Sequence, residues 1–265
     1  MRPIAPWRSV SAILLFALFS PVVFAQSSAP TPQPPVRDPQ AVATLQSAFS
    51  AMGGQNLAQI QDTKMTTQQT SPDGTSSAVT FTTSGTTMLR VETQSSDGTS
   101  IFVMNATTPS SQNDGAAVEN VPWLSVSGGG ITHIPLLSVL SYWSQPGTTL
   151  QYVGLEQLGT QSVYHIRIQR PLDGSYGLGP NDVPCDLYID AKTLFLSRLV
   201  YPLRSPGNLT AIARVAVDYS NFKVSNGIAV PYTIISTVNG QLLNEQQVVS
   251  FAVNVGTSAS DFDLR

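Results

Sequence analysis

The side chains able to do chemistry are few and scattered along the chain. Histidine occurs twice, at His133 and His165, and cysteine once, at Cys185. A metal centre needs three or four donors, and the two histidines with Asp186 or Asp190 make the only set worth weighing. No His-x-x-His or His-Glu-x-x-His spacing selects them, so no metal and no cofactor is expected. Ser127-Gly128-Gly129-Gly130 has the glycine content of an oxyanion loop, but no Gly-x-Ser-x-Gly elbow places a nucleophile beside it. No catalytic residue is assigned, and the chain is not expected to be an enzyme. His133 precedes a helical stretch and reads as a helix-end or surface residue. His165 alternates with Val163 and Arg167 and reads as a solvent or cavity-rim position. Asp218 reads as the partner of Arg214, four residues away on the same strand face, or as simply solvated. The lone cysteine excludes an intrachain disulfide framework and reads as a small buried residue.

Composition narrows the partners. Of 265 residues only 11% are charged, 13 basic against 16 acidic. No basic block could neutralise a run of phosphates, so nucleic acid is not an expected partner. The first 25 residues have the form of a signal peptide. Arg2 and Arg8 supply positive charge, Val10 to Phe19 the apolar core, and Val23-Phe24-Ala25 the small residues before the cut. That core is too short for an ordinary membrane span, and no later stretch approaches the length of one. With no cysteine at the cleavage site, the mature chain is expected to begin at Gln26, without a lipid anchor or integral membrane segment, in the periplasm or otherwise exported. Residues 26–37, with Pro30, Pro32, Pro34 and Pro35, read as a disordered proline-rich spacer.

The elements that would position these residues are mostly strands, in a single domain over 38–265. Asp38-Pro39 supplies an N-cap acceptor and a first-turn proline. Val42, Leu45, Phe49 and Met52 then form one apolar stripe, closed by Gly53-Gly54. Period-two runs follow at Met65–Thr70, Ala78–Ser84, Met88–Gln94 and Ser100–Met104, with turns at Pro72-Asp73-Gly74 and Asp97-Gly98. Thr107–Gly130 reads as a long loop, Ile134–Trp143 as a second helix, and Pro171–Pro184 as another loop. Between and after them come strands at Leu150–Gln157, Ser162–Gln169, Cys185–Asp190 and Leu194–Tyr201. Three long strands end the chain, at Thr210–Phe222, Ile228–Val238 and Gln241–Val255. Asn226-Gly227 and Asn239-Gly240 join them, and Asn-Gly between strand-forming runs predicts type I′ hairpins. The count is about eleven strands, antiparallel because sequential hairpins make them so.

Several runs in this order resemble the LolA-like superfamily of periplasmic proteins, which includes a lipoprotein carrier and its outer-membrane receptor. They are the Leu45–Met52 helix with Gly53-Gly54 and Leu57, and Leu89-Arg90-Val91-Glu92 before Asp97-Gly98-Thr99-Ser100. The closing order Leu187-Tyr188-Ile189-Asp190, Val217-Asp218-Tyr219, Gly227-Ile228-Ala229-Val230-Pro231 and Val253-Asn254-Val255 resembles it too. The resemblance implies a curved, unclosed antiparallel half-barrel, mainly β, with covering helices and an apolar cavity between. Two departures matter. The carrier has a basic residue followed by proline where this chain has Ser84-Gly85-Thr86, and the receptor is lipid-anchored.

The expected function is a periplasmic binder or carrier of an apolar ligand, an acyl chain or lipidated polypeptide, held in the concavity. The alternative is a non-catalytic scaffold for protein–protein interaction or envelope sensing. The partners would be an apolar small molecule, lipoproteins or an envelope protein. The expected lining is Phe81, Leu89, Val91, Phe102, Leu136, Leu140, Trp143 and Ile166. Arg90, on the opposite strand face from Leu89 and Val91, is either solvated or a polar anchor at the mouth.

Overall fold

The computed structural model describes residues 36–105, 108–126, 131–140, 143, 147–171, 182–205 and 207–264. The expected signal segment, nearly all of the spacer, Ser127–Gly130 and most of the Pro171–Pro184 loop lie outside these residues.

Helix α1 spans Pro39–Ala51, and a short α2 spans Gln55–Ala58. The sheet then opens with β1 (Asp62–Thr70), β2 (Ser76–Ser84), β3 (Met88–Ser95) and β4 (Gly98–Met104). Two short strands, β5 (Ser110–Asn113) and β6 (Glu119–Asn120), lie where the sequence suggested only a loop. Short polar strands such as Ser-Ser-Gln-Asn carry no apolar alternation, so their pairing is invisible in the sequence. After α3 (Trp123–Val126) and α4 (Leu137–Leu140) come β7 (Thr149–Leu158), β8 (Gln161–Pro171) and β9 (Asp182–Asp190). The series closes with β10 (Leu196–Ser205), β11 (Asn208–Ser225), β12 (Ile228–Val238) and β13 (Gln241–Val253). All thirteen form one antiparallel sheet in the order β6-β5-β4-β3-β2-β1-β13-β12-β11-β10-β9-β8-β7. The sheet is not closed, and its architecture is that of a curved half-barrel.

The turns follow their residues. Asn226 and Gly227 have φ of 51° and 73°, and Asn239 and Gly240 of 51° and 81°, the paired positive values that a type I′ turn requires. Of the expected Ile134–Trp143 helix, the described residues show the turn of α4, with Trp143 N–H donating to Val139 O at 2.8 Å. Leu136, at φ 68°, sits in the left-handed region and stops the helix from starting earlier.

One face of the sheet, the inner, is covered. Helix α1 is clipped at its start to the edge strand β7, where Asp38 N–H donates to Leu150 O (2.9 Å) and Leu150 N–H to Val36 O (2.8 Å). Its other end meets the β11–β12 hairpin, where Ala229 N–H donates to Met52 O at 3.1 Å. A Cβ on Gly53 would stand 3.1 Å from Gly227 O and 3.2 Å from Ile228 Cα, so this approach needs glycine. The buried stripe of α1 is Ala41, Leu45, Ala48 and Met52. Val42 and Phe49, expected inside, are half-buried at its flank because the small alanines let the helix sit close and turn the larger pair aside. Beside α1, Ile131, Ile134, Leu136, Leu137 and Val139 all enter the same core. Tyr219 on β11 fixes this strap by donating its hydroxyl to Thr132 O at 2.5 Å.

The outer face is polar and partly covered by the C-terminal segment. Asp62, 5% exposed, accepts the backbone N–H groups of Val255, Gly256 and Thr257 at 2.5, 3.0 and 3.0 Å. This leads the chain into a 3-10 turn at Ala259–Phe262, whose Phe262 is buried.

Candidate functional site

Directly paired residues point to the same face of a sheet, so the register assigns the inner face. One cross-strand row reads Phe251, Met65, Phe81, Val91 and Phe102. The next row reads Thr63, Thr83, Leu89 and Met104. The second row is closed: Leu89 and Met104 are buried, and Thr63 and Thr83 join hydroxyls at 2.7 Å. In the first row Met65 is buried, but Phe81, Val91 and Phe102 are half-buried and form an apolar strip over three strands that the cover leaves partly open. Four of the expected lining residues thus stand together.

The others are dispersed. Leu136 is buried in the strap. Trp143 is half-buried, its ring 6.4 Å from that of Phe49. Ile166 shares the inner face, but it lies on β8 in direct register with Leu187, fully buried and seven strands from Phe81. The side chain of Leu140 lies outside the described residues. Arg90 is on the outer face, where its guanidinium lies 3.4 Å from Glu92 and from Asp261 O.

Sequence reasoning missed a second opening on the inner face. Val121 and Val126 stand over Leu203, Ala211 and Ala213 around a cleft of about 620 Å³. Period-two alternation puts Ala211 and Ala213 on the same face of β11 as Val215 and Val217, and their small size leaves the room. A groove of about 740 Å³ lies on the outer face and is lined by Lys64, Thr80, Thr82, Arg90, Glu92 and Asp261 among others. Its two cations and two anions balance, and it offers an apolar chain no floor.

His133 departs most from its reading. It is 2% exposed, and its ring lies face to face with that of Phe81 at 4.4 Å and 20°. Burial pushes its pKa down to about 3, so the imidazole is neutral. Its Nε2 has no hydrogen-bond partner.

His165 is neither solvent-facing nor at a rim. It is buried on the outer side of β8, with Nδ1 2.7 Å from Glu156 and Nε2 3.0 Å from Asp186, stacked on Tyr188. Burial works to raise the Asp186 carboxyl, but hydrogen bonds from Arg167 and His165 outweigh it and hold it below the usual range. With both ring nitrogens engaged, this array is a structural ion network. Among the described residues, no group of three His, Cys, Asp or Glu is placed to hold a metal ion. Asp218 pairs with Arg198 at 2.5 Å rather than with Arg214. The two are direct register partners on neighbouring strands, whereas residues four apart along a strand are about 13 Å apart. Arg214 instead stands 3.7 Å from Asp186.

An open antiparallel sheet carrying a helix and a strap on one face has counterparts among solved structures. The fold is LolA-like. An outer membrane lipoprotein-sorting protein domain from Vibrio parahaemolyticus superposes with a TM-score of 0.54 at 12% identity, over 84% of this chain and 96% of that one. A LolA superfamily protein from Nitrosomonas europaea gives 0.52 at 12% identity, over 82% and 97%. Compared by sequence, the chain matches no family model and no curated protein. At such identity the LolA-like likeness concerns the fold alone.

Proposed function

We propose that this chain is an exported, periplasmic binder or carrier of a long apolar ligand, an acyl chain or lipidated polypeptide, seated on the inner face of its half-barrel. The observation that carries the proposal is the Phe81–Val91–Phe102 strip, apolar and half-open beneath a cover that closes the neighbouring row. The 620 Å³ cleft at Ala211 and Ala213 adds room on the same face, within the about 300–1,000 Å³ usual for ligand sites. Each CH₂ withdrawn from water contributes about 0.8 kcal/mol, so a chain of several carbons would bind before ordering costs are subtracted. The solved relatives with lipoprotein-sorting and LolA names fit this reading. No helix among the described residues is long and apolar enough to cross a membrane.

Titration of the purified chain with a fluorescent fatty acyl probe tests the proposal. Saturable binding at micromolar concentration is expected, weakened at least tenfold by Val91→Trp, which fills the strip. Overpacking of this kind costs about 1–3 kcal/mol, so the variant should still fold, as circular dichroism would show. If the folded native chain takes up no probe and carries no lipid in native mass spectrometry, the scaffold reading replaces this one.

A further inference from the structure

The two histidines are provided for in opposite ways. His165 has a carboxylate on each ring nitrogen, while His133 Nε2 is buried and has no partner. Proteins pair nearly all their buried polar atoms, so an unpartnered ring nitrogen inside an apolar core marks a place for a water or a ligand atom. The position favours a ligand. Phe81, on which His133 is stacked, is the member of the half-open strip next to Val91. A chain laid along that strip therefore passes a polar side chain stacked on it.

We infer that His133 Nε2 hydrogen-bonds an uncharged polar group at the end of the ligand's apolar chain, an ester or amide carbonyl or a hydroxyl. The inference rests on the binding reading above and specifies the ligand's head. A neutral imidazole can donate or accept one hydrogen bond but cannot balance a charge. Lys64 and Arg90, the cations of β1 to β4, both line the groove on the opposite face. An ionised carboxylate or phosphate brought to His133 would thus meet no counter-charge from these strands and would lose its hydration. The site therefore selects acyl esters, amides or alcohols over free fatty carboxylates.

The test uses ¹⁵N-labelled native chain, in which only two histidines contribute ring signals. Methyl laurate, dodecane and laurate are titrated separately at pH 8, where laurate is ionised. Methyl laurate is expected to shift the His133 Nε2 resonance, dodecane to leave it in place, and laurate to bind at least tenfold more weakly than the ester. His133→Phe should weaken methyl laurate about tenfold and leave dodecane within about twofold. Should the variant not fold, the native-chain spectra decide alone. If ester and alkane affect Nε2 alike, a trapped water pairs the nitrogen and the inference falls while the binding reading stands. Laurate binding as tightly as the ester also overturns it. If none of the three binds, the binding reading itself falls, and this inference with it.

Discussion

At the scale of single residues, His133 links packing to pH. Its imidazole refuses a proton down to about pH 3, whereas in the unfolded chain it accepts one near 6.5. Above 6.5 both states are neutral and the group has no effect on stability. As pH falls below 6.5 the unfolded state gains a proton that the folded state does not, and stability is lost at up to about 1.4 kcal/mol per unit until about pH 3. Denaturant midpoints measured from pH 7 to pH 4 are expected to fall, and to fall less steeply in His133→Phe. Parallel slopes for the two proteins would show that His133 is hydrated in the fold. This residue was not legible in the sequence, because a histidine ahead of a helix looks the same whether it faces water or a phenyl ring. The Arg198–Asp218 pair was missed for a related reason: a sequence displays neighbours along a strand, and the partner came from the next strand.

Helix α1 and the hairpins show what local chemistry can specify. The Asp38-Pro39 start and the Asn-Gly turns stand as read, since caps and type I′ turns depend on a few adjacent residues. The rotation of α1 on the sheet does not, and Ala41 and Ala48 displaced Val42 and Phe49 from its buried stripe. This yields an ordering at the element scale. Leu45→Ala, at a fully packed position, should cost about 2–5 kcal/mol, and Phe49→Ala measurably less, because its ring is half-buried beside Trp143. Equilibrium denaturation checks both, and a larger loss at Phe49 would mean that the helix is rotated toward Trp143. The strip was legible in part: Phe81, Leu89, Val91 and Phe102 were all expected as lining, with Leu89 and Val91 on one strand face, and the register brings the three strands together. Which of them stay open depends on the strap, whose path no local signal fixes.

Across the whole molecule, the sheet consists of two meanders that run outward from a central seam, where β1 pairs with β13. That pairing joins distant parts of the chain, and nothing in either strand's sequence announces the other. Met65, fully buried on β1 with Phe251 and Phe81 as its register partners, sits on the seam. Met65→Ala should lower stability by about 2–5 kcal/mol while circular dichroism and tryptophan fluorescence still report one coincident transition. Two separated transitions would mean that the meanders fold independently. The same order has a mechanical consequence. The outermost strands β6 and β7 are consecutive in sequence, so the cover has to return from one rim of the open sheet to the other. On the way it is tied down at two neighbouring residues: Thr132 O accepts the hydroxyl of Tyr219 on β11, and His133 stacks on Phe81 of β2. These strands belong to opposite meanders, so the cover acts as a stitch across the seam, and the two halves cannot part without pulling it open.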